Sequence, residues 1–163
     1  MIECYRVLFV GNAPYVPTRK KLINKILEAV DFKEKALVYE LGCGSAKFLR
    51  SLAKTKDIQA IGYEYFIMPY IFARLYCLLA NRNVKIYYQD FFKADLSQAD
   101  YIFCFLIDKE MARLEGKLIA ELKPGALVIS NTFKFTNWEP IKIVALNENK
   151  KLSLNNRVFI YRK

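Results

Sequence analysis

Three carboxylates stand where apolar runs end, and each could meet a ligand there. Glu40 lies in the run 36–41, two residues before the turn Gly42-Cys43-Gly44; Glu64 follows the run 58–62; Asp90 follows 83–88 and precedes Phe91-Phe92. A strand, a glycine turn and then a helix let backbone N–H groups approach a nucleotide-like ligand closely. Glycine suits the turn because a Cβ would strain the backbone or strike the ligand. A dinucleotide fingerprint would need a third glycine at position 47, where Lys47 stands. A carboxylate at 40 would repel a pyrophosphate but suits a ligand carrying positive charge. Glu64 comes 22 residues after Gly42, near the interval at which such units present an acid to ribose hydroxyls. A carboxylate can accept both hydrogen bonds of a vicinal diol, and Asp90 could accept from an adenine amine under a phenyl ring. Each feature has a plainer reading: a chain-reversing turn, a solvated glutamate, and an aspartate cap followed by core phenylalanines.

The elements that must position these residues follow from apolar spacing. Residues 2–10 are short and apolar, and periodicity does not separate strand from helix there. The stretch 11–14 breaks them, and Pro14-Tyr15-Val16-Pro17-Thr18 is extended, because each proline biases its predecessor away from helix. Thr18 can cap a helix over 19–30, whose Leu22, Ile23, Ile26, Leu27 and Val30 recur at helical spacing. Strands are expected at 36–41, 58–62, 83–88, 99–106 and 126–130, with helices at 46–54, 66–81 and 109–122. Lys123-Pro124-Gly125 is a turn, and 141–146 with 157–161 reads as a closing pair of strands. The helix 66–81 is unusually apolar, with Arg74 its only charge over 66–80. Either both its sides are covered, the expected case, or one side meets a membrane or another subunit; it is too short to span a bilayer. The alternation implies a Rossmann-like, seven-stranded, mostly parallel twisted sheet with one antiparallel edge strand and helices on both faces. Residues 1–163 read as one domain, with 1–18 an arm over the ligand site. Ligands in such sheets sit beyond the strands' carboxyl ends, where Gly42, Glu64, Asp90 and Phe105 all fall.

The chain has 163 residues, 54% of them hydrophobic and 15% aromatic, which excludes general disorder. It contains no histidine, so a Ser-His-Asp triad and a histidine-ligated metal are both excluded. Cys4, Cys43, Cys77 and Cys104 are widely separated, which argues against a zinc site or disulfide framework and for a reducing compartment. No metal is expected. The net charge of +10 favours an acidic partner, whether nucleic acid, anionic membrane or acidic protein surface. Residues 1–10 lack a signal-peptide pattern, and the expected location is cytoplasmic or peripheral to a membrane.

The stretch 38–47 resembles motif I of the class I S-adenosylmethionine-dependent methyltransferases, acidic-x-Gly-x-Gly-x-Gly, with Ala46 in the last glycine's place. Pro14-Tyr15-Val16-Pro17-Thr18, Tyr39-Glu40-Leu41-Gly42-Cys43-Gly44, and Asp90-Phe91-Phe92 followed by Asp95-Leu96-Ser97 narrow the likeness. Together they resemble the small archaeal-type protein-lysine methyltransferases and the related family 173 proteins of mitochondria. The resemblance implies S-adenosylmethionine as cofactor and protein lysine side chains as acceptors. It would put Tyr15 and Thr18 along the cofactor pocket and Glu40, Gly42, Cys43 and Gly44 at its methionine end. Glu64 would then bind the ribose and Asp90 with Phe91 the adenine, and Tyr65 is a further expected cofactor-binding residue. Ser45-Ala46-Lys47 departs from the more usual acidic-Gly-Arg continuation, and helix 66–81 is more apolar than the usual basic one.

A sulfonium donor makes displacement by a neutral amine electronically undemanding, so alignment is the protein's main task. The acceptor ammonium must first lose a proton from a group whose ordinary pKa is about 10.4, and desolvation lowers it. The expected acceptor channel is aromatic, built from Tyr15, Phe103, Phe105 and Phe133, whose faces could also hold the cation. Two alternatives stand. One is a methyltransferase acting on RNA or a small molecule, although an Asn/Asp-Pro-Pro-Tyr motif is missing where Phe103-Cys104-Phe105-Leu106 stands. The other is an idle methyltransferase-like fold that binds a membrane or protein through 66–79.

Overall fold

The computed structural model describes residues 8–10, 13–15, 18, 20–80, 83–145 and 157–163, with backbone alone for 8–10 and 13–15. Two short strands, β1 (Leu8–Val10) and β2 (Ala13–Tyr15), pair antiparallel as a hairpin of their own. The remaining strands are β3 (Leu37–Leu41), β4 (Gln59–Glu64), β5 (Val84–Tyr88), β6 (Tyr101–Cys104), β7 (Leu127–Asn131), β8 (Lys142–Ala145) and β9 (Arg157–Arg162). They form one seven-stranded sheet in the order β5-β4-β3-β6-β7-β9-β8. The first five in that order are parallel, and β9 runs antiparallel to both β7 and β8. The expected Rossmann-like sheet is therefore present, its antiparallel strand one place in from the edge.

Helices α1 (Lys20–Ala29) and α2 (Lys47–Leu52) cover one face, and α4 (Asp108–Glu121) covers the other. Leu22, Ile23 and Ile26 are the buried positions of α1, the helical spacing legible in the sequence. Along β3, Val38 joins the core under α1 and α2, while Tyr39 and Leu41 join the core under α4. This is the alternation that a strand covered on both sides requires. The core under α1 and α2 includes Phe48, whose ring stacks on Phe103 at 4.0 Å between centroids.

Helix α3 (Ile67–Ala80) overturns the expectation of burial on both sides. Its inward residues are small or compact, Pro69, Ala73 and Cys77, whereas Ile67, Met68, Ile71, Phe72, Leu75, Tyr76, Leu78 and Leu79 are exposed. Ala73 and Cys77 pack with Cys43, Ala46 and Ile86 in a compact third cluster. Small residues bring the helix close to the sheet, and the large apolar ones are left on the far side.

Candidate active site

The strand order places β3 and β6 side by side, with the chain running outward from them in both directions, so the crevice beyond their carboxyl ends is the topological switch point. Gly42 follows β3, Glu64 ends β4, Asp90 lies two residues past β5 and Phe105 follows β6. Parallel register puts all four on one edge of the sheet. Tyr15 ends β2, and Thr18, buried, lies between β2 and α1.

The turn after β3 is held in a left-handed conformation at three positions, Gly42 (φ 66), Gly44 (φ 53) and Ala46 (φ 52). Such φ values are free for glycine and cost an alanine roughly 1–2 kcal/mol. The turn is fastened to β4 by the Cys43 N–H, which donates to the Tyr63 carbonyl at 2.9 Å. Gly62 makes room for this packing, since a Cβ there would lie 2.8 Å from Cys43 Sγ and 2.9 Å from Ile86 Cδ1. A Cβ at Gly42 would lie 3.1 Å from Leu106 Cδ2, so the loop after β6 closes against the turn.

Glu64 is buried. Its Oε2 accepts from the Gly44 N–H at 2.8 Å and its Oε1 from the Phe66 N–H at 2.9 Å. Burial raises its pKa, and the backbone N–H groups of Phe66, Gly44 and Tyr65 pull it back. A carboxylate has about four lone-pair sites, so these two bonds leave acceptor capacity. Glu40 is buried on the α2 side, where its Oε2 accepts from Leu49 N–H at 3.4 Å. Burial pushes its carboxyl up to about 8; the Leu49 N–H opposes this, the Glu64 charge adds to it, and Arg50 opposes it. Glu40 thus joins β3 to the first turn of α2, where the helix dipole favours negative charge.

Asp90 caps the 3-10 turn Phe91–Lys93, its Oδ1 accepting from Phe92 N–H at 2.9 Å. The plainer sequence reading of Asp90 is therefore present, and the position on the site edge holds as well. The half-buried rings of Phe91 and Phe92 lie 4.5 Å apart, and the Arg113 guanidinium sits 3.8 Å from the Phe92 centroid. Tyr65 is exposed, and its ring meets Phe66 edge-on.

Of the expected acceptor channel, the structure removes one member. Phe103 is 1% exposed and stacked on Phe48 in the core under α1 and α2, so its ring cannot line an opening. The reason is parity: within β6, Ile102 and Cys104 pack toward α4, and Phe103 points the opposite way. Phe105, past the end of the strand, is half-buried, and Phe133 is half-buried against the core under α4.

The chemistry of this residue set suits a cationic nucleoside. Carboxyl groups at 40, 64 and 90 gather near one sheet edge, Glu40 keeping its proton below about pH 8, and among the described residues none is ion-paired with a lysine or arginine. Backbone N–H groups of the glycine turn lie beside them.

The family described as the ANTKMT methyltransferase domain matches residues 40–142, from the motif carboxylate to the start of β8. A protein-lysine N-methyltransferase of Saccharolobus islandicus (strain REY15A) is 30% identical over 161 residues, which cover 94% of this chain and 95% of that protein. The chain belongs to this methyltransferase family. A mouse adenine nucleotide translocase lysine N-methyltransferase is 28% identical over 82% of this methyltransferase, which spans only 58% of the mouse protein. A solved Salinibacter ruber RNA methyltransferase in complex with S-adenosyl-L-homocysteine superposes with a TM-score of 0.81, at 26% identity, covering 90% of this chain and 93% of that one. The fold is accordingly that of a class I S-adenosylmethionine-dependent methyltransferase.

Two residues that support the elements around the candidate site carried no sequence signal. Leu106 looks like one more apolar residue, and only its contact with Gly42 brings it to the turn. Glu115 sits mid-helix in α4, buried, and its carboxylate accepts from Thr136 N–H at 3.0 Å and Asn137 N–H at 2.9 Å. It anchors the loop that carries Phe133.

Proposed function

We propose that this methyltransferase transfers the methyl group of S-adenosylmethionine to lysine side chains of proteins. The observation that carries the reading is the match to the archaeal protein-lysine N-methyltransferase, which extends over nearly the whole of both chains. When bound, S-adenosylmethionine supplies an electrophilic methyl group on a sulfonium sulfur.

In this reading Glu64 uses its remaining lone pairs for the ribose diol, Tyr65 and Phe91 cover the adenine, and Asp90 faces its amine. Gly42, Cys43 and Gly44 offer backbone to the methionine end, and Glu40 braces the turn from behind through the Leu49 N–H. The arm 1–18 expected over the crevice lies largely outside the described residues; of it, Thr18 is buried just before α1. The side chain of Tyr15, one expected member of the acceptor channel, also lies outside the described residues. Phe105 and Phe133 line the acceptor's approach. Their faces favour a cation and exclude water, and desolvation lowers the acceptor's pKa from about 10.4. Without histidine, the proton leaves to water or to a carboxylate. The free, buried thiols of Cys43, Cys77 and Cys104 support a reducing compartment, the cytoplasm. Residues 66–79 supply a contact surface for a membrane or another subunit.

A second reading, methyl transfer to RNA, is favoured by the Salinibacter structure and by the net charge of +10. Tritiated S-adenosylmethionine incubated with the enzyme and a lysate separates the two. The lysine reading expects label that survives nuclease, is lost to protease, and appears as methyl-lysine in mass spectrometry. Label lost to nuclease would sink it.

A further inference from the structure

We propose that the outer face of α3 docks on the surface of an anionic lipid bilayer, with the basic residues of and around α2 reaching the headgroups. The proposal rests on the build of α3 and is independent of which acceptor is methylated. The helix is about 20 Å long, and large apolar side chains run along its outer face from Ile67 to Leu79. Leu78 and Leu79 are 77% and 74% exposed, far beyond the scattered apolar residues of an ordinary surface. Tyr65 just before the helix is exposed too, as is Tyr88 on the neighbouring strand β5, whose ring meets Tyr70 of α3 at 5.4 Å, which widens the patch with residues suited to a membrane interface.

Charge selects the occupant. Neither 45–56 nor 65–89 contains an aspartate or glutamate, while together they contain Lys47, Arg50, Lys54, Lys56, Arg74, Arg82 and Lys85. The guanidinium of Arg50, on α2, lies 4.8 Å from the centroid of the Tyr76 ring, so basic and apolar surface meet directly. An apolar helix face bordered by bases, of which only Lys56 is paired with an acid (Glu34) among the described residues, is the pattern of a helix lying in the headgroup region of anionic lipid. A second copy would bring two like-charged surfaces together, and a nucleic acid would leave the leucines and isoleucines uncovered. Among the described residues no helix is long and apolar enough to cross a membrane, so the contact is one of surface seating. Because α3 directly follows the Glu64 edge, seating it would hold the catalytic crevice beside the lipid, within reach of lysines near the headgroups.

The test is co-sedimentation of the full chain with phosphatidylcholine vesicles, with and without phosphatidylglycerol. We expect binding that requires phosphatidylglycerol and weakens with salt. Leu78→Glu combined with Leu79→Glu should lower the partition coefficient about tenfold or more, and Arg74→Gln about fivefold. Both side-chain sets are exposed, so unchanged S-adenosylmethionine affinity by calorimetry will verify the fold of each variant. Equal binding to phosphatidylcholine alone, or binding untouched by the double variant, overturns the proposal. So does an absence of vesicle binding, whether or not light scattering shows a dimer that the double variant dissociates.

Discussion

Glu64 reaches across from the end of β4 to accept the backbone N–H of Gly44 at 2.8 Å, so the acid of one strand fixes the glycine turn of its neighbour. The same carboxylate takes the Phe66 N–H at the start of the chain's entry into α3. Glu64→Ala leaves these two donors without their acceptor and should destabilise the fold by about 1–3 kcal/mol. Glu64→Gln keeps an acceptor oxygen and the side-chain volume but loses the charge. Both should weaken S-adenosylmethionine binding at least about tenfold, which is about 1.4 kcal/mol, as measured by calorimetry. Parental affinity in both variants would remove Glu64 from the site.

Glu40 makes stability depend on pH. Its folded pKa of about 8 lies above the ordinary 4.5, so the folded state holds a proton that the unfolded chain gives up. Its contribution is complete below pH 4.5 and is lost as pH rises through about 8. Glu40→Gln has nothing to ionise and should flatten the decline across that window. Urea midpoints at a series of pH values measure this; an unchanged slope in the variant would place the titration elsewhere.

The two phenylalanines flanking Cys104 should behave oppositely. Phe103→Ala empties a fully packed site beside Phe48 and should cost about 3–5 kcal/mol of stability. Phe105→Ala, at a half-buried position past the strand, should cost less stability and reduce kcat/KM for methyl transfer with cofactor affinity kept. Denaturation curves and single-substrate kinetics on the pair separate a core ring from an acceptor-lining one.

Gly62→Ala brings a methyl group within 2.8 Å of Cys43 Sγ. Overpacking of this kind costs about 1–3 kcal/mol, and here it would push on the cofactor turn, lowering affinity as well. Cys43→Ala removes the sulfur and should recover part of both losses when combined with Gly62→Ala. The Ile86 Cδ1 contact at 2.9 Å limits the recovery. A double-mutant cycle on stability and on S-adenosylmethionine affinity reads the coupling. Strict additivity would show that the two residues do not press on one another.

The strands, the glycine turn and the edge acids were legible because they depend on local signals: apolar runs, punctuation by Gly and Pro, and an acid at a strand's end. What was not legible depends on side-chain direction and distant partners. Phe103 and Phe105 look alike in sequence, and strand parity together with where β6 stops sends Phe103 inward and leaves Phe105 at the rim. Leu106 and Glu115 acquire their roles only across elements, through Gly42 and through the backbone of Thr136 and Asn137. Helix α3 misled for a compositional reason. Hydrophobicity suggested burial, but the sheet side is filled by Ala73 and Cys77, and apolar content alone cannot tell which side is covered.

The place of β9 bears on how the molecule is made. It follows β8 in the chain yet lies between β7 and β8, bonded to both. During synthesis β8 therefore leaves the ribosome before the strand it must lean on. Until β9 slots in against β7, β8 has no seat in the sheet, and the two strands must join the growing sheet together or in reverse of their order of birth.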